Sequence, residues 1–152
     1  MYIVLDLYNF KTTHIFYQER IKNTVMDNSN FLRLTYSNEL FTLNGIFIKF
    51  NLNLYMIEKS FNKFKCLFDT KTHHDIITQL TEIEKYIMEN YSHPKVMTKK
   101  TPLYRISEQL NNGFLKIFNH IETKEKNEFI LKIYGIWETD NEYGLTYKFI
   151  NI

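Results

Sequence analysis

Apolar and polar residues alternate along several short stretches of this chain, which is the pattern of half-buried β-strands. The clearest example is residues 45–55, and residues 31–36 and 63–68 alternate in the same way. We therefore predict three strands between residues 31 and 68. The buried face of the 45–55 strand is predicted to consist of Ile46, Ile48, Phe50, Leu52 and Leu54.

The period changes after residue 71, where apolar residues recur at spacings of four, three and four, as on one side of a helix. Thr72, with Asp75 three residues later, predicts the N-cap of this helix. His93-Pro94 is predicted to end it, because the residue before a proline avoids the helical conformation. The predicted buried stripe is Ile76, Leu80, Ile83 and Ile87.

Two further strands, residues 129–137 and 143–150, are predicted to form a hairpin near the C-terminus. They flank an acidic turn at residues 138–142, which we interpret as a solvated hairpin tip. Asn112-Gly113 predicts a second turn, between two short elements whose type the pattern leaves open.

The N-terminal part of the chain begins with an apolar run, residues 2–8. Such a run is too apolar to remain loose in solvent, so we predict a strand that pairs with a sheet edge or with another subunit. We therefore divide the chain into an N-terminal β extension, residues 1–30, and one domain over residues 31–152.

The predicted element order is three strands, one helix, an insertion and two strands. This is the order of the OB-fold, a five-stranded barrel whose helix sits between strands three and four. The predicted fold class is mostly β with one α-helix, as an OB-fold-like five-stranded barrel with an N-terminal β extension.

Composition and charge change this picture only in part. Cys66 is the single cysteine, so no intramolecular disulfide can form, which fits a reducing compartment. No apolar run approaches the ~20 residues of a membrane span, so we expect a soluble intracellular protein with no membrane partner. The net charge of +2 hides a segregation of charge, because residues 31–65 carry five basic and two acidic residues, whereas residues 73–91 carry four acidic residues and one lysine.

The candidates for catalysis or metal binding are isolated residues. The five histidines and Cys66 lack the spacings of a zinc site, and no glycine-rich phosphate loop occurs. Strand parity directs Cys66 into the core, where a free thiol is a packing residue. We therefore expect a protein that is not an enzyme and that has no catalytic residue, metal site or cofactor.

The second face of the 45–55 strand combines aromatic and basic side chains, namely Phe47, Lys49 and Tyr55. Aromatic rings stack on bases and lysines neutralise phosphates, so such a face is suited to a nucleic-acid strand. The alternative is that these rings pack under residues 1–30 or against another copy of the chain. The candidate nucleic-acid-binding residues are Arg33, Phe47, Lys49, Tyr55, Lys63, Lys65, Lys99, Lys100, Lys132, Tyr134 and Lys148.

Two segments, LYRISEQLNNGFLKIF (residues 103–118) and ILKIYGIWETDNEYGLTYKF (residues 130–149), resemble single-stranded-DNA-binding proteins of large eukaryotic DNA viruses, which are similar to phage OB-fold single-strand binders. The resemblance implies binding of single-stranded DNA without base specificity, in viral DNA replication, recombination or repair. It also implies a location in the host cytoplasm or nucleus at sites of viral replication. RNA as a ligand and a homo-oligomer both stay open. The alternative function is a non-enzymatic viral structural or assembly protein whose aromatic sheet surface mediates self-association.

Overall fold

The computed structural model describes residues 3–22, 29–91, 100–118, 121 and 127–152. Within these ranges the chain forms eleven strands and two α-helices, which confirms the mostly β class. The strands are β1 (Leu5–Asp6), β2 (Ile15–Lys22), β3 (Asn30–Ser37), β4 (Thr42–Leu43), β5 (Ile46–Leu52), β6 (Leu54–Ser60), β7 (Lys63–Phe68), β8 (Thr101–Leu103), β9 (Phe114–Ile117), β10 (Asn127–Glu138) and β11 (Glu142–Asn151). The helices are α1 (His74–Glu89) and α2 (Arg105–Asn111).

Strand β10 is the centre of the larger sheet. One of its edges pairs antiparallel with β11 along almost the whole hairpin. Its other edge is shared, because residues 127–133 pair with β5 and residues 135–138 pair with β3. Strand β1 adds to β5 in parallel, β2 and β4 add to β3, and β8 adds to β11. The larger sheet therefore has two branches that meet at β10.

The point where the branches meet requires a glycine. The β10–β11 register shifts between Ile133 and Gly135, so Tyr134 is the extra residue of a β-bulge. A Cβ atom at Gly135 would lie 2.2 Å from the carbonyl oxygen of Leu32 and 2.6 Å from the ring of Phe31. Only a residue without a side chain lets β3 approach β10 this closely.

The smaller sheet contains β6, β7 and β9 in that order. Strand β6 continues the chain direction of β5 after a break at Asn53, and β9 lies beside β11 of the larger sheet. The two sheets thus adjoin along both β6 and β9, and their inner faces share one core. Among the described residues, the backbone pairing between strands does not close either sheet into a barrel.

The predicted buried face of the 45–55 strand is confirmed, because Ile46, Ile48, Phe50, Leu52 and Leu54 are all buried. The strand is nevertheless split into β5 and β6. The backbone N–H of Asn53 donates to Nε2 of His73 at 3.1 Å instead of to a neighbouring strand. A side-chain acceptor 20 residues away therefore interrupts a strand that the local pattern predicts as continuous.

Helix α1 forms where the sequence predicts a helix, with three corrections to its details. Its N-cap is His73 rather than Thr72, and no side chain caps it by a hydrogen bond. Ile77 is buried where the predicted stripe has the half-buried Ile76. The helix ends at Glu89, and His93-Pro94 lies outside the described residues.

The prediction of a single helix is wrong, because α2 follows α1. The first N–H groups of α2 have a partner that is distant in sequence: Ile106 and Ser107 donate to the carboxylate of Glu84 at 3.0 and 2.8 Å, and the Ser107 hydroxyl donates to it at 2.6 Å. Glu84 is buried, and burial raises the pKa of its carboxyl although these hydrogen bonds oppose the shift. The sequence of residues 104–111 alone gives no indication of this cap.

The N-terminal segment packs directly on the larger sheet. The strand predicted over residues 2–8 is reduced to β1, which pairs with β5 at Ile48 and Lys49. A short 3-10 turn, Leu7–Asn9, follows it, and Leu7 is buried in the core. Within the described part of the chain, neither helix is long and apolar enough to cross a lipid bilayer.

Replacing Gly135 by alanine should destabilise the protein by about 1–3 kcal/mol, because the new methyl group meets the Leu32 carbonyl, which belongs to a paired backbone. Gly144→Ala is the matched control. Its nearest obstacle is the ring of Trp137 at 2.9 Å, a side chain that can shift, and the nearest backbone atom, the Leu103 carbonyl oxygen, is 3.2 Å away rather than 2.2 Å. Urea denaturation should therefore give a larger loss of unfolding free energy for Gly135→Ala, and equal losses would contradict the role assigned to Gly135.

Candidate nucleic-acid interface

Six of the eleven predicted site residues lie on one side of the larger sheet, which we call the outer face. The residues that alternate with them along β5 and β10, such as Ile48 and Leu131, are fully buried. Strand pleating therefore directs these six side chains away from the core. They are Arg33 on β3, Phe47 and Lys49 on β5, Lys132 and Tyr134 on β10, and Lys148 on β11.

The centre of the outer face is a pair of lysines beside an aromatic ring. Lys132 stands opposite Lys148 on one side and opposite Phe47 on the other. Its ammonium lies 5.9 Å from the centroid of the Phe47 ring, within cation–π distance. Directly opposed residues have Cβ atoms about 5 Å apart, and like charges there destabilise a sheet. An anion between the two lysines is attracted by both ammonium groups, so the pair is suited to a phosphate.

Lys49 extends the basic character of the outer face along β5. Its ammonium is 3.5 Å from the carboxylate of Asp6 on β1, and both side chains are accessible to solvent. Exposed ion pairs contribute at most about 1 kcal/mol, so Lys49 can exchange Asp6 for a phosphate at little cost. Asp6 and the exposed Glu128, at the start of β10, are acidic residues that border the lysines.

The β-bulge adds aromatic residues to the outer face. Strict alternation from Phe129 would direct Trp137 inward, but the extra residue Tyr134 reverses the parity of the last part of β10. Trp137 therefore lies outward, with the Arg105 guanidinium 5.4 Å from its ring centroid. Sequence reasoning missed this pair, and the signal that could have revealed it is Gly135 within an otherwise apolar strand.

Two other predicted residues, Lys63 and Lys65, lie on the smaller sheet. Lys65 stands opposite Lys116 of β9, and its ammonium is 4.6 Å from the centroid of the Phe114 ring. The Lys63 ammonium is 5.7 Å from the centroid of Phe118. The partners on and just after β9 were missed because the sequence pattern leaves the type of that element open.

Tyr55 is exposed but does not share a strand with Phe47 and Lys49. It lies on β6, beyond the break at Asn53, and the β6–β7 register shifts between Leu54 and Met56. The predicted surface of Phe47, Lys49 and Tyr55 is thus divided between the two sheets.

The structure places Lys100 in a buried ionic cluster rather than on the outer face. Its ammonium and the hydroxyl of Tyr91 donate to the carboxylate of Glu138, and the Arg20 guanidinium donates to it at 2.8 Å. The side chains of Lys100 and Glu138 are only 14% and 4% exposed. Glu138 is therefore not part of a solvated hairpin tip, which begins only after this residue. Lys99 lies outside the described residues.

The cluster fixes the charge states of Glu138 and Tyr91. Burial by itself would raise the pKa of Glu138, but the hydrogen bonds from Lys100 and Tyr91 and the charge of Arg20 lower this pKa below its ordinary value of 4.5. Burial and the hydrogen bond to Glu138 raise the pKa of Tyr91 to about 12, so its hydroxyl stays protonated and donates. The cluster joins β2, the end of α1, β10 and the residue before β8.

The described part of the chain offers neither a reactive thiol nor a metal-binding cluster. Burial raises the pKa of the Cys66 thiol to about 12, so the thiol stays protonated in the core. In the ranges that the structure covers, no three His, Cys, Asp or Glu side chains are grouped closely enough to hold a metal ion. The outer face is therefore the candidate site that the described residues support best.

Comparison of the chain with protein-family models, with curated proteins and with solved structures found no match. The case for a function accordingly depends on the geometry of the two sheets.

Glu138→Gln should lower the free energy of unfolding by about 3–5 kcal/mol at neutral pH, because it leaves Arg20 and Lys100 without a buried counter-charge. The contribution of Glu138 is complete above the pKa of 4.5 that it has in the unfolded chain, and it is lost as pH falls through the lower folded pKa. Urea denaturation across pH should therefore show the difference between parent and variant shrinking on acidification. Glu142→Gln, at the exposed tip, is the control and should change little. A Glu138→Gln variant as stable as the parent at neutral pH would refute the role of the cluster.

Proposed function

We propose that this protein binds single-stranded DNA through the outer face, without preference for base sequence. The observation that carries the proposal is the cross-strand pair Lys132 and Lys148 beside the ring of Phe47. The two lysines supply positive charge for phosphates, and the ring supplies a platform for a base. Every base has a flat face and every nucleotide a phosphate, so these contacts carry no sequence information.

An OB-type barrel is the finer form of the fold that we propose. Its ring of strands would be β5 with β6, then β7, β9, β11 and β10, which returns to β5. The ladders β6–β7, β7–β9, β10–β11 and β5–β10 support this order, as does the position of β9 beside β11. The two helices then lie between the second and third strands of the ring, whereas the sequence predicts a helix between the third and fourth. Sheet faces of such barrels are established surfaces for oligonucleotides.

The distribution of charge supports the same surface. The buried side chains of α1 belong to the shared core, so this acidic helix packs against the inner side of the sheets. Asp75, Glu82 and Glu89 are exposed on the helix, away from Lys132 and Lys148. A DNA strand on the outer face therefore meets the basic side of a nearly neutral protein.

The biological role that fits this activity is the coating of single strands. A surface that neither selects bases nor contains a catalytic group can protect DNA during replication, recombination or repair. The resemblance to single-strand binders of large DNA viruses supports viral DNA as the substrate, in the host cytoplasm or nucleus.

Self-association is the second candidate function, and strand β2 favours it. Phe16 and Ile21 are exposed on β2, and among the described strands β2 pairs with β3 alone. An edge strand with exposed apolar residues can add a second copy of the chain. This candidate predicts an oligomer that dissociates when Phe16 and Ile21 are replaced by lysine.

Lys132→Ala and Lys148→Ala should each flatten the plot of log affinity against log salt concentration by about 0.7, the value for one phosphate contact with a single strand. Fluorescence anisotropy with labelled oligo-dT measures this slope. Lys148→Ala relieves repulsion within the opposed pair, so its thermal stability should not fall. Thermal melting of Lys132→Ala is measured in parallel, because Lys132 also contacts the Phe47 ring. Lys85→Ala, on the exposed side of α1, is the matched control and should leave the slope unchanged. Unchanged slopes in both outer-face variants would exclude this surface.

Phe47→Ala should weaken binding by about 1–3 kcal/mol, similarly for oligo-dT and oligo-dA, with no change in the salt slope. A loss confined to one base composition would contradict the proposed lack of sequence preference. If the parent protein bound an RNA strand more tightly than DNA of matching sequence, the ligand would be reassigned to RNA. A parent that binds no single strand at low salt would leave self-association as the function.

A further inference from the structure

The smaller sheet repeats the arrangement at the centre of the outer face. Lys65 and Lys116 are directly opposed, as Lys132 and Lys148 are. Both of their ammonium groups lie near one ring, at 4.6 and 5.7 Å from the centroid of Phe114. Each sheet thus presents two opposed lysines and a phenylalanine on its outer side. The acidic residue beside the second unit is Glu58, which stands opposite Lys65 on β6.

A groove lies beside the first unit, at the border between the two sheets. Phe118, Lys148, Phe149 and Ile150 line a cavity of about 400 Å³ where the end of β9 meets β11. Phe118 is mostly exposed, and the ammonium of Lys63 lies 5.7 Å from its ring centroid. Lys148 therefore belongs both to the first unit and to the wall of the groove. Phe118 and Lys63 continue the same combination of ring and charge onto the smaller sheet.

The turn just before Lys63 presents an aromatic ring on a residue with a strained backbone conformation. Phe61 and Asn62 form the two-residue turn between the paired Ser60 and Lys63. Phe61 has a φ of 53°, a conformation that glycine or asparagine adopts readily and a bulky residue adopts only with strain. Its side chain is 97% exposed, so packing does not explain the strain. The two-residue turn accounts for the positive φ, but glycine or asparagine would fill it without strain, so an exposed phenylalanine at this position is a candidate for ligand contact.

We infer that the DNA strand bound at the outer face continues through the groove onto the smaller sheet and ends with a base stacked on Phe61. This inference rests on the proposed function, and it adds a second contact region with its own residues. The path runs from Phe47 and Lys132 past Lys148 and Phe118 to Phe61. A polyanion with flat bases fits this path because opposed lysines and exposed rings alternate along it, and phosphates and bases match these two kinds of side chain.

The length of the bound strand separates the two regions experimentally. OB-type domains cover about 4–16 nucleotides, so an oligo-dT of about 6 nucleotides can occupy the outer face alone, and one of about 16 nucleotides can reach the smaller sheet. A change on the smaller sheet should therefore weaken binding of the long strand and leave binding of the short strand nearly unchanged.

Phe61→Gly is the most discriminating variant. Glycine removes the stacking ring and also relieves the strain at a positive φ, so the melting temperature should stay the same or rise. Affinity for the long strand should fall about 5- to 150-fold, the range expected for one lost base stack. Loss of binding without loss of stability excludes misfolding as the cause. Tyr8→Ala is the control, because Tyr8 is also a highly exposed ring, at 87%, but lies in the turn after β1.

The double variant Lys65→Ala/Lys116→Ala tests the same region through charge. It should flatten the salt slope for the long strand by about 1.4, which is two phosphate contacts, and leave the slope for the short strand unchanged. This test stays decisive if Phe61→Gly alters the hairpin.

These experiments distinguish a failure of the proposed function from a failure of the continuation onto the smaller sheet. If the parent binds neither oligonucleotide, the proposed function fails. If the parent binds both and the Phe61 and Lys65/Lys116 variants match it in affinity and salt slope for the long strand, the continuation onto the smaller sheet is overturned while the outer face stands. Equal losses for short and long strands would also overturn it.

Discussion

The close approach of the Leu32 carbonyl to Gly135 is the contact on which the architecture depends. It lets one edge of β10 pair with β5 in its first half and with β3 in its second half. A side chain at position 135 would hold β3 away, and the branch that carries β2 and β4 would lose its attachment to β10. The bulge at Tyr134 accompanies this junction and directs Trp137 outward. One residue without a side chain thus determines how the sheet branches and which aromatic residues reach its surface.

Much of the fold could be predicted because the local pattern and the tertiary structure agree. The alternation in residues 45–55 and in the C-terminal hairpin has a single physical cause, which is one buried and one solvated face. The failures share a different cause. The split at Asn53, the cap of α2 by Glu84 and the burial of Glu138 all depend on polar partners between 20 and 118 residues away. A single sequence contains no signal for such pairings.

The candidate site was predictable to the extent that it depends on strand parity. Phe47, Lys49, Lys132 and Lys148 lie on one face because β5, β10 and β11 are neighbours with regular pleating. The position of Lys100 could not be predicted, because a lysine in a basic loop looks the same in sequence whether it contacts solvent or a buried carboxylate. Phe114, Lys116 and Phe118 were missed because the identity of β9 as a strand depends on its pairing with β7.

The central position of β10 also has a consequence for synthesis on the ribosome. Strand β10 begins about 75 residues after β5 ends, so at 5–20 residues per second β5 waits about 4–15 s for its main partner. During this interval β5 and β3 have unpaired edges and exposed apolar faces, the features that promote aggregation. The β6–β7 ladder joins residues that are close in sequence, so this hairpin can form meanwhile. The nascent chain is therefore expected to depend on chaperones until β10 emerges, although the finished protein has a continuous core.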